Sequence, residues 1–292
     1  MFALRLMPKF LIALILFSLS GCAASAPPEP VRGTLHGSLV WQGEVYIDGD
    51  VVLEQDAELT IRPGTRILFV APSADSDTWT EHPHFIGSEL IVKGRIRAEG
   101  TAQAPIVFAA ADATAPPGAW GAINLVGSAE AVFKYCIFRQ ADSALHSWDS
   151  QVVIKESLFE RNLVGIRFNE SNILIQYNML RDNGSAIRFH FGAPVIRENV
   201  FTRNKVNLFI TSHPRDYQIE RNHFGVAREY HVVFGEEVPK DVAMRENFWL
   251  FSDQKERNAF FFDGQRSPYL GRVVRKPVLT ASPTEAGLSW TP

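Results

Sequence analysis

The sequence predicts an all-β solenoid in which short strands stack coil upon coil with parallel pairing. Three observations support this fold class. Apolar and polar residues recur every 21 residues in the second half of the chain. The residues between them form short β-prone runs separated by Asn, Gly, Asp and Ser. No long segment carries the apolar stripe of an amphipathic helix.

The repeat is carried by three columns of residues that share one period. The first column places a small polar residue before two apolar ones, at spacings of 21, 21, 21, 23 and 25 residues. Its members begin at Cys136, Ser157, Asn178, Asn199, Asn222 and Asn247. The second column is Asn162, Asn183 and Asn204, and the third is Phe133, Ile154, Ile175, Ile196 and Ile219. Internal repeats of this kind are the signature of a solenoid.

The residue types indicate strands and tight corners. Runs such as VVIKESLF, NILIQYNML and PVIRENVF are short, apolar and bounded by turn-forming residues. Stacked coils would place like residues above one another at the β spacing of about 4.8 Å. Aliphatic columns would then fill the interior, and Asn columns at the corners would form amide ladders. Because Asn tolerates a left-handed backbone better than most residues, we expect the asparagines to adopt it there.

The N-terminal half has the same character with looser spacing. Strand-like segments run from Val45–Ile47 to Ile123–Leu125, with turn signals such as Asp48–Asp50 between them. We therefore expect residues 34–280 to form one solenoid of about ten coils, on the order of 50 Å long. Residues 281–292 are expected to form a C-terminal tail.

The N-terminus has the pattern of a targeting segment. Two basic residues precede the apolar run FLIALILFSL, which is too short for a permanent membrane helix. The run ends in Leu19–Cys22 (LSGC), which resembles the bacterial lipobox. This motif predicts a signal peptide over residues 1–21 and a lipidated Cys22 that anchors the protein to a membrane. Residues 22–33 would be a flexible tether, and Ala23 favours the outer membrane of the cell envelope over the inner one.

Four segments resemble the right-handed parallel β-helix repeat proteins of bacterial envelopes. They are Trp41–Phe69, Ser88–Phe108, Ala119–Leu125 and Asn247–Leu279. Leu250 stands where that family usually has a Gly, so the turn after Trp249 is expected to differ. The resemblance covers most of the chain after Cys22 and implies a right-handed parallel β-helix. It leaves the activity open, because this fold carries lyases, epimerases, adhesins and chaperone-like proteins.

The net charge and the cysteine count of the chain exclude some classes of function. The chain has 292 residues, with 29 Lys and Arg against 32 Asp and Glu, and a formal net charge of −3. Loss of residues 1–21 would remove Arg5 and Lys9 and make the exported protein more acidic. We therefore do not expect electrostatic attraction between this chain and nucleic acid. Cys136 is the single cysteine after Cys22, so we expect it to be a buried free thiol without a disulfide.

The 21-residue register predicts one face with ligand-binding chemistry. With Leu145, Ile166 and Ile187 taken as inward, strand alternation points their successors outward. Two adjacent outward columns supply the candidate ligand-binding residues: His146, Trp148, Arg167, Asn169, Arg188 and His190. Arg can hold carboxylates with two hydrogen bonds, and Trp can stack on a sugar ring. The alternative is a solvated sheet face whose Arg stems cover apolar surface.

The loop of residues 71–87 interrupts the coil pattern. It carries four weak candidate metal ligands: Asp75, Asp77, His82 and His84. Imidazole and carboxylate groups together can bind Zn²⁺ or Cu²⁺. Pro83 restricts the geometry of the two His, and a polar surface loop is the simpler interpretation. We expect no other cofactor.

Three functions remain open. The favoured one is a non-catalytic cell-envelope lipoprotein that binds an extended partner, either a polysaccharide or another envelope protein. The second is a polysaccharide lyase, epimerase or hydrolase that acts on an acidic glycan through the face between His146 and His190. That face lacks an acidic column for Ca²⁺ and a carboxylate pair for hydrolysis, so no catalytic residue is assigned. The third is periplasmic metal handling through the loop of residues 71–87.

Overall fold

The computed structural model describes residues 28–251 and 257–292, and their regular structure is almost entirely β-strand. The N-terminal part contains β1 (Val31–Leu35), β2 (Ser38–Trp41), β3 (Glu44–Leu53), β4 (Glu58–Ile61), β5 (Arg66–Phe69), β6 (Glu89–Val92), β7 (Arg95–Glu99), β8 (Ile106–Ala110) and β9 (Trp120–Val126). The central part contains β10 (Glu130–Lys134), β11 (Cys136–Arg139), β12 (Ala141–Trp148), β13 (Gln151–Lys155), β14 (Leu158–Glu160), β15 (Val164–Asn169), β16 (Asn172–Gln176), β17 (Met179–Arg181), β18 (Ser185–His190), β19 (Ala193–Arg197), β20 (Val200–Thr202), β21 (Asn204–Ser212), β22 (Gln218–Glu220), β23 (His223–Phe224) and β24 (Ala227–Glu237). The C-terminal part contains β25 (Val242–Ala243), β26 (Phe248–Trp249), a 3₁₀ helix (Arg257–Phe260), β27 (Phe261–Phe262) and β28 (Val273–Val274).

These strands stack on the three sides of a parallel β-helix. One side is an eight-stranded sheet that runs from β2 through β4, β7, β10, β13, β16 and β19 to β22. The other two sides join through β3, which pairs with β5 through Glu44–Ile47 and with β6 through Asp50–Leu53. The predicted turn signal at Asp48–Asp50 is therefore a corner inside one long strand. The fold class and the count of about ten coils are confirmed.

The interior is built from columns of like side chains, as expected for stacked coils. The predicted column from Phe133 through Ile154, Ile175 and Ile196 to Ile219 lies in register and is buried. A second column adds aromatic stacking, with ring centroids 4.9 Å apart for Phe108–Phe138 and 4.4 Å apart for Phe138–Phe159. Stacked rings bury large apolar areas, so this column contributes strongly to the stability of the core.

The Asn columns form the predicted amide ladders. The backbone N–H of Asn178 donates to Oδ1 of Asn199 over 2.9 Å, and the Nδ2 group of Asn178 donates to the same oxygen over 3.0 Å. The pattern continues from Asn199 to Asn222 and from Asn222 to Asn247. A second ladder joins Asn162, Asn183 and Asn204. Each buried amide thereby satisfies backbone groups of neighbouring coils.

The expectation that these asparagines adopt the left-handed backbone is wrong. The residue before each Asn has the positive φ instead: Glu198 at 58° precedes Asn199, and Asp182 at 57° precedes Asn183. The amide of Asn is committed to bonds between coils, so the bend falls on the preceding residue. At a third corner the residues with positive φ are Asp149 and Glu170, and each precedes a Ser instead of an Asn.

The two ends of the solenoid differ from the predicted boundaries. β1 begins at Val31 and pairs with β3, so the last three residues of the predicted tether belong to the first strand. Residues 281–292 lie along one corner: Gly287 N–H donates to the Glu198 carbonyl, and Trp290 Nε1 donates to the Glu156 carbonyl, both over 2.9 Å. The tail therefore packs along the coils and runs back from Glu198 toward Glu156.

Some sequence predictions concern residues at the chain start. The signal peptide of residues 1–21 and the lipidation site Cys22 lie outside the described residues. Within the described part, no helix is long and apolar enough to cross a bilayer. Cys136 is a buried free thiol as expected, and burial raises its pKa far above the usual range.

Candidate ligand-binding cleft

The two predicted outward columns are aligned as expected. His146 pairs with Arg167, and Arg167 pairs with Arg188, on β12, β15 and β18. One alternation further along the same strands, Trp148 pairs with Asn169 and Asn169 with His190. The columns therefore run side by side along one face. Whether they bind a ligand stays a prediction.

Residues 71–87 form a loop between β5 and β6 that is fastened to β3 by two aspartates. Asp48 Oδ1 accepts the backbone N–H of Ser73 over 2.8 Å. Asp50 Oδ2 accepts the backbone N–H groups of Thr78 and Trp79 over 2.5 and 2.6 Å. Carboxylates that accept backbone N–H groups in this way hold a loop without regular secondary structure. The loop is therefore a fixed part of the fold.

The end of this loop folds over the first outward column. Phe85 is buried, and its ring centroid lies 5.2 Å from that of His146 and 5.3 Å from the Arg167 guanidinium carbon. The Pro83 carbonyl accepts the Nδ2 group of Asn124 over 2.8 Å. Loop and sheet face enclose a cleft of about 380 Å³. Its lining is His82, Pro83, His84, Phe85, His146, Arg167, Phe168, Asn169, Arg188 and His190.

His146 forms part of the floor of this cleft and is not a freely exposed ligand contact. The side chain points outward as predicted, but Phe85 covers it, and only 5% of its surface is exposed. Nδ1 lies 2.9 Å from Oδ1 of Asn124, an oxygen that can only accept, so Nδ1 carries the proton. Burial lowers the pKa of His146 to about 3, and the neighbouring Arg167 acts in the same direction. The ring is therefore neutral.

Arg167 and Arg188 give the cleft its positive charge. The Arg188 guanidinium stacks on Phe209 at 4.7 Å, and Nε of Arg167 is buried without a hydrogen-bond partner. Neither guanidinium forms a salt bridge within residues 28–251 and 257–292. Burial lowers the pKa of Arg167. The charge of Asp142 offsets only part of this burial. Guanidinium groups with free N–H donors and no ion-pair partner are suited to carboxylate, sulfate or phosphate.

The remaining candidates of the face have different roles. Asn169 and His190 line the cleft, and Oδ1 of Asn169 is buried without a partner. Trp148 is 41% exposed and stands beside the cleft, outside its lining. It offers a flat apolar surface next to the polar groups.

The metal prediction for the loop finds no supporting geometry. His82 and His84 line the cleft, whereas Asp75 and Asp77 are exposed on the same loop and do not line it. Among the described residues, no group of three or more His, Cys, Asp or Glu side chains is placed to hold a metal ion. From the sequence, the loop and the face were expected to be two separate sites. The fold places His82 and His84 of the loop at the same cleft as the residues of the face.

Sequence reasoning missed a buried carboxyl pair beneath the loop. Glu89 is fully buried and pairs in register with Asp50. Neither carboxyl oxygen has a hydrogen bond of good geometry with a described residue, although the Phe85 backbone and the Asn124 side chain lie close enough to favour its ionised form in part. Burial, together with the nearby charge of Asp50, raises the pKa of Glu89 to about 9. Alternation alone would place Glu89 on an exposed face. The apolar Phe85 at the end of the loop was the available signal that this face is covered.

Comparisons with known proteins agree with this architecture. Residues 33–142 match the family model of a pectate-lyase-like β-helix domain, and residues 119–224 match that of a right-handed β-helix region. No curated protein and no solved structure matches the chain. The two matches overlap and together run from residue 33 to residue 224, through all strands that carry the cleft. The chain is thus a right-handed parallel β-helix repeat protein.

Proposed function

We propose that this protein is a cell-envelope lipoprotein whose cleft binds an acidic group of an extended glycan. The observation that carries the proposal is the pair Arg167 and Arg188, which face one cleft with no carboxylate of the described residues within ion-pair distance, although Asp142 offsets part of the burial of Arg167. Burying cations without compensation costs free energy, so such an arrangement is expected where an anionic ligand provides the compensation.

The surroundings of the cleft suit a polymer that lies along the solenoid axis. The outward column continues beyond Arg188 to Phe209, Val233 and the partly exposed Phe262. Trp148 flanks the cleft at the other side of the same face. Aromatic surfaces beside charged groups stack on sugar rings while the charges hold acidic substituents. The lipid anchor of the proposal rests on Leu19–Cys22, and Ala23 favours the outer membrane.

Binding to polygalacturonate, an acidic glycan, tests the proposal. We expect the variant Arg167→Ala/Arg188→Ala to lose at least about tenfold in affinity, since each charge-assisted contact contributes about 1.5–3 kcal/mol. Calorimetric titration against polygalacturonate and against a neutral glucan measures this. The matched control is Arg95→Ala/Arg97→Ala, which removes two arginines that pair with Glu58 and Glu130 on the eight-stranded sheet. Equal affinity of the wild type and the cleft variant would contradict the proposal.

A polysaccharide lyase is the second candidate. Two observations favour it: the match of residues 33–142 to a pectate-lyase-like domain, and the lowered pKa of Arg167. Against it, no carboxylate belongs to the described lining of the cleft, and acidic ligands for Ca²⁺ are therefore missing there. Incubation of purified protein with polygalacturonate distinguishes the two. Release of unsaturated uronate ends, lost in Arg167→Ala, would establish the lyase, and their absence agrees with binding alone.

A further inference from the structure

A chain of three polar side chains leads from the surface into the cleft. Ser212 is fully buried, and its hydroxyl contacts Oε2 of Glu237. The same Oγ lies 3.4 Å from Nδ1 of His190. His190 is half-buried and lines the cleft beside Arg188. The three residues lie on β24, β21 and β18, so successive coils of the solenoid supply one member each.

The donors and acceptors of this chain determine where the His190 proton sits. An ionised Glu237 carboxylate can only accept a hydrogen bond, so Ser212 donates its single hydroxyl proton to Glu237. The Ser212 oxygen can then only accept from His190, which places the proton on Nδ1. In a neutral imidazole the other nitrogen, Nε2, is then an acceptor. Nε2 forms no hydrogen bond with any described residue.

The charged groups around His190 favour its neutral form. Burial lowers the pKa of His190, and Arg188 and Arg167 act in the same direction, while Glu237 opposes them. His82 and His84 of the loop face the same cleft. Above the His190 pKa, therefore, the cleft offers two guanidinium donors and a fixed acceptor at Nε2 of His190, in addition to the unpaired Oδ1 of Asn169.

We propose that His190 is a specificity-determining residue that selects anionic ligands with a free hydroxyl group near the charged group. Arg167 and Arg188 hold the anion, and Nε2 of His190 accepts the proton of the hydroxyl. A ligand without that hydroxyl leaves the acceptor desolvated and unpaired, which costs affinity. Ser212 and Glu237 are positioning residues that act through His190. This inference rests on the proposed function of the cleft.

Nitrogen NMR of the imidazole rings tests the positioning step without any ligand. We expect the ¹⁵N shifts of His190 in the wild type at pH 8 to show the Nδ1–H tautomer, with His190→Gln used to assign its signals among the eight histidines. Ser212→Ala should shift the ring toward the Nε2–H tautomer. Glu237→Gln should lower the His190 pKa, since Glu237 raises it. An Nε2–H tautomer in the wild type would overturn the proposal.

Selectivity is tested with a galacturonate trisaccharide and its monodeoxy analogues. We expect the wild type to bind the parent about tenfold more tightly than one of the analogues, the equivalent of one unpaired polar group. His190→Ala should lose this preference while keeping salt-dependent binding. His190→Gln should retain part of it, because its Oε1 can take the place of Nε2. No wild-type binding to any of these probes overturns both proposals, whereas equal binding of parent and analogues overturns only the role of His190.

Discussion

The N-terminal coils, Val31–Val126, and the central coils, Glu130–Trp249, build one solenoid with different corner chemistry. In the central coils the corner residues with positive φ are almost all non-glycine, and Asn or Ser follows most of them. In the N-terminal coils the corners use glycines, among them Gly33, Gly37, Gly43, Gly49 and Gly64. Some buried polar groups there are paired singly and not in ladders, as where Ser88 Oγ donates to the Val70 carbonyl and accepts from Gly49 N–H, and the Glu89 carboxyl is left without such a partner.

The difference follows from the period of each region. A constant 21-residue repeat puts identical amides above one another, so each coil supplies the partner for the next. Residues added between corners leave the ladder intact, as the spacings of 23 and 25 residues up to Asn247 show, whereas a residue added at a corner would move the acceptor out of register. The N-terminal coils have no ladder to break and accommodate the loop of residues 71–87. The irregular region therefore supplies the cover of the cleft, and the regular region supplies its floor and its charges.

The largest expected effect comes from breaking a ladder in the central coils. Asn199→Ala removes the acceptor for Asn178 N–H and the donor to the Ile175 carbonyl, at a position that is fully buried. We expect a loss of about 3–5 kcal/mol in the free energy of unfolding, since several buried groups lose their partners together. Urea unfolding followed by far-ultraviolet circular dichroism measures it.

The exposed Asn172 is the matched control for that substitution. It begins β16, and Asn172→Ala should change the free energy of unfolding by no more than about 0.5 kcal/mol. Similar losses for Asn172→Ala and Asn199→Ala would show that the amide ladder is not what distinguishes the central coils.

The sequence predicted most where residues repeat and least where they do not. Asn178, Asn199 and Asn222 repeat with one chemistry, so period and residue type together predicted their ladder. The bend at Glu198 was not predicted, because Glu has no preference for a positive φ and the ladder imposes it. Burial of His146 and Glu89 depends on where a single, non-repeating loop folds. That placement is decided by tertiary contacts, such as Asp48 with Ser73, which leave no periodic trace in the chain.

A smaller effect is expected from the buried carboxyl in the N-terminal coils. The pKa of Glu89 is about 9 in the folded protein, against an ordinary value near 4.5. Between these values the folded protein keeps a proton that the unfolded chain releases, so stability falls as pH rises through this window. Glu89→Gln keeps the shape and cannot ionise. We expect it to be about 1–3 kcal/mol more stable than the wild type at pH 8, because it removes the cost of burying this carboxyl.

Thermal unfolding of both proteins at pH 5 and pH 8 measures this difference. The gap between Glu89→Gln and the wild type should widen toward pH 8. The low pKa values of His146 and His231, about 3 and 4, destabilise both proteins as pH falls below about 6.5 and cancel in the comparison. Glu81→Gln, on the exposed part of the loop, is the control and should follow the wild type. Parallel curves for Glu89→Gln and the wild type would contradict an unusual Glu89.

The smallest expected effect compares one corner residue from each region. Glu170 in the central coils has a φ of 52°, is exposed, and makes no side-chain hydrogen bond among the described residues. Gly43 in the N-terminal coils has a φ of 75°, and a Cβ there would meet nothing within 4 Å. Glu170→Gly should therefore stabilise by up to about 1 kcal/mol, and Gly43→Ala should destabilise by about 1 kcal/mol, since a left-handed backbone disfavours a Cβ by this amount. Chemical unfolding of both variants measures the two changes. A clear loss of stability in Glu170→Gly would mean that the central corners gain something from their side chains, and that the two regions differ in more than the residues that bear the bend.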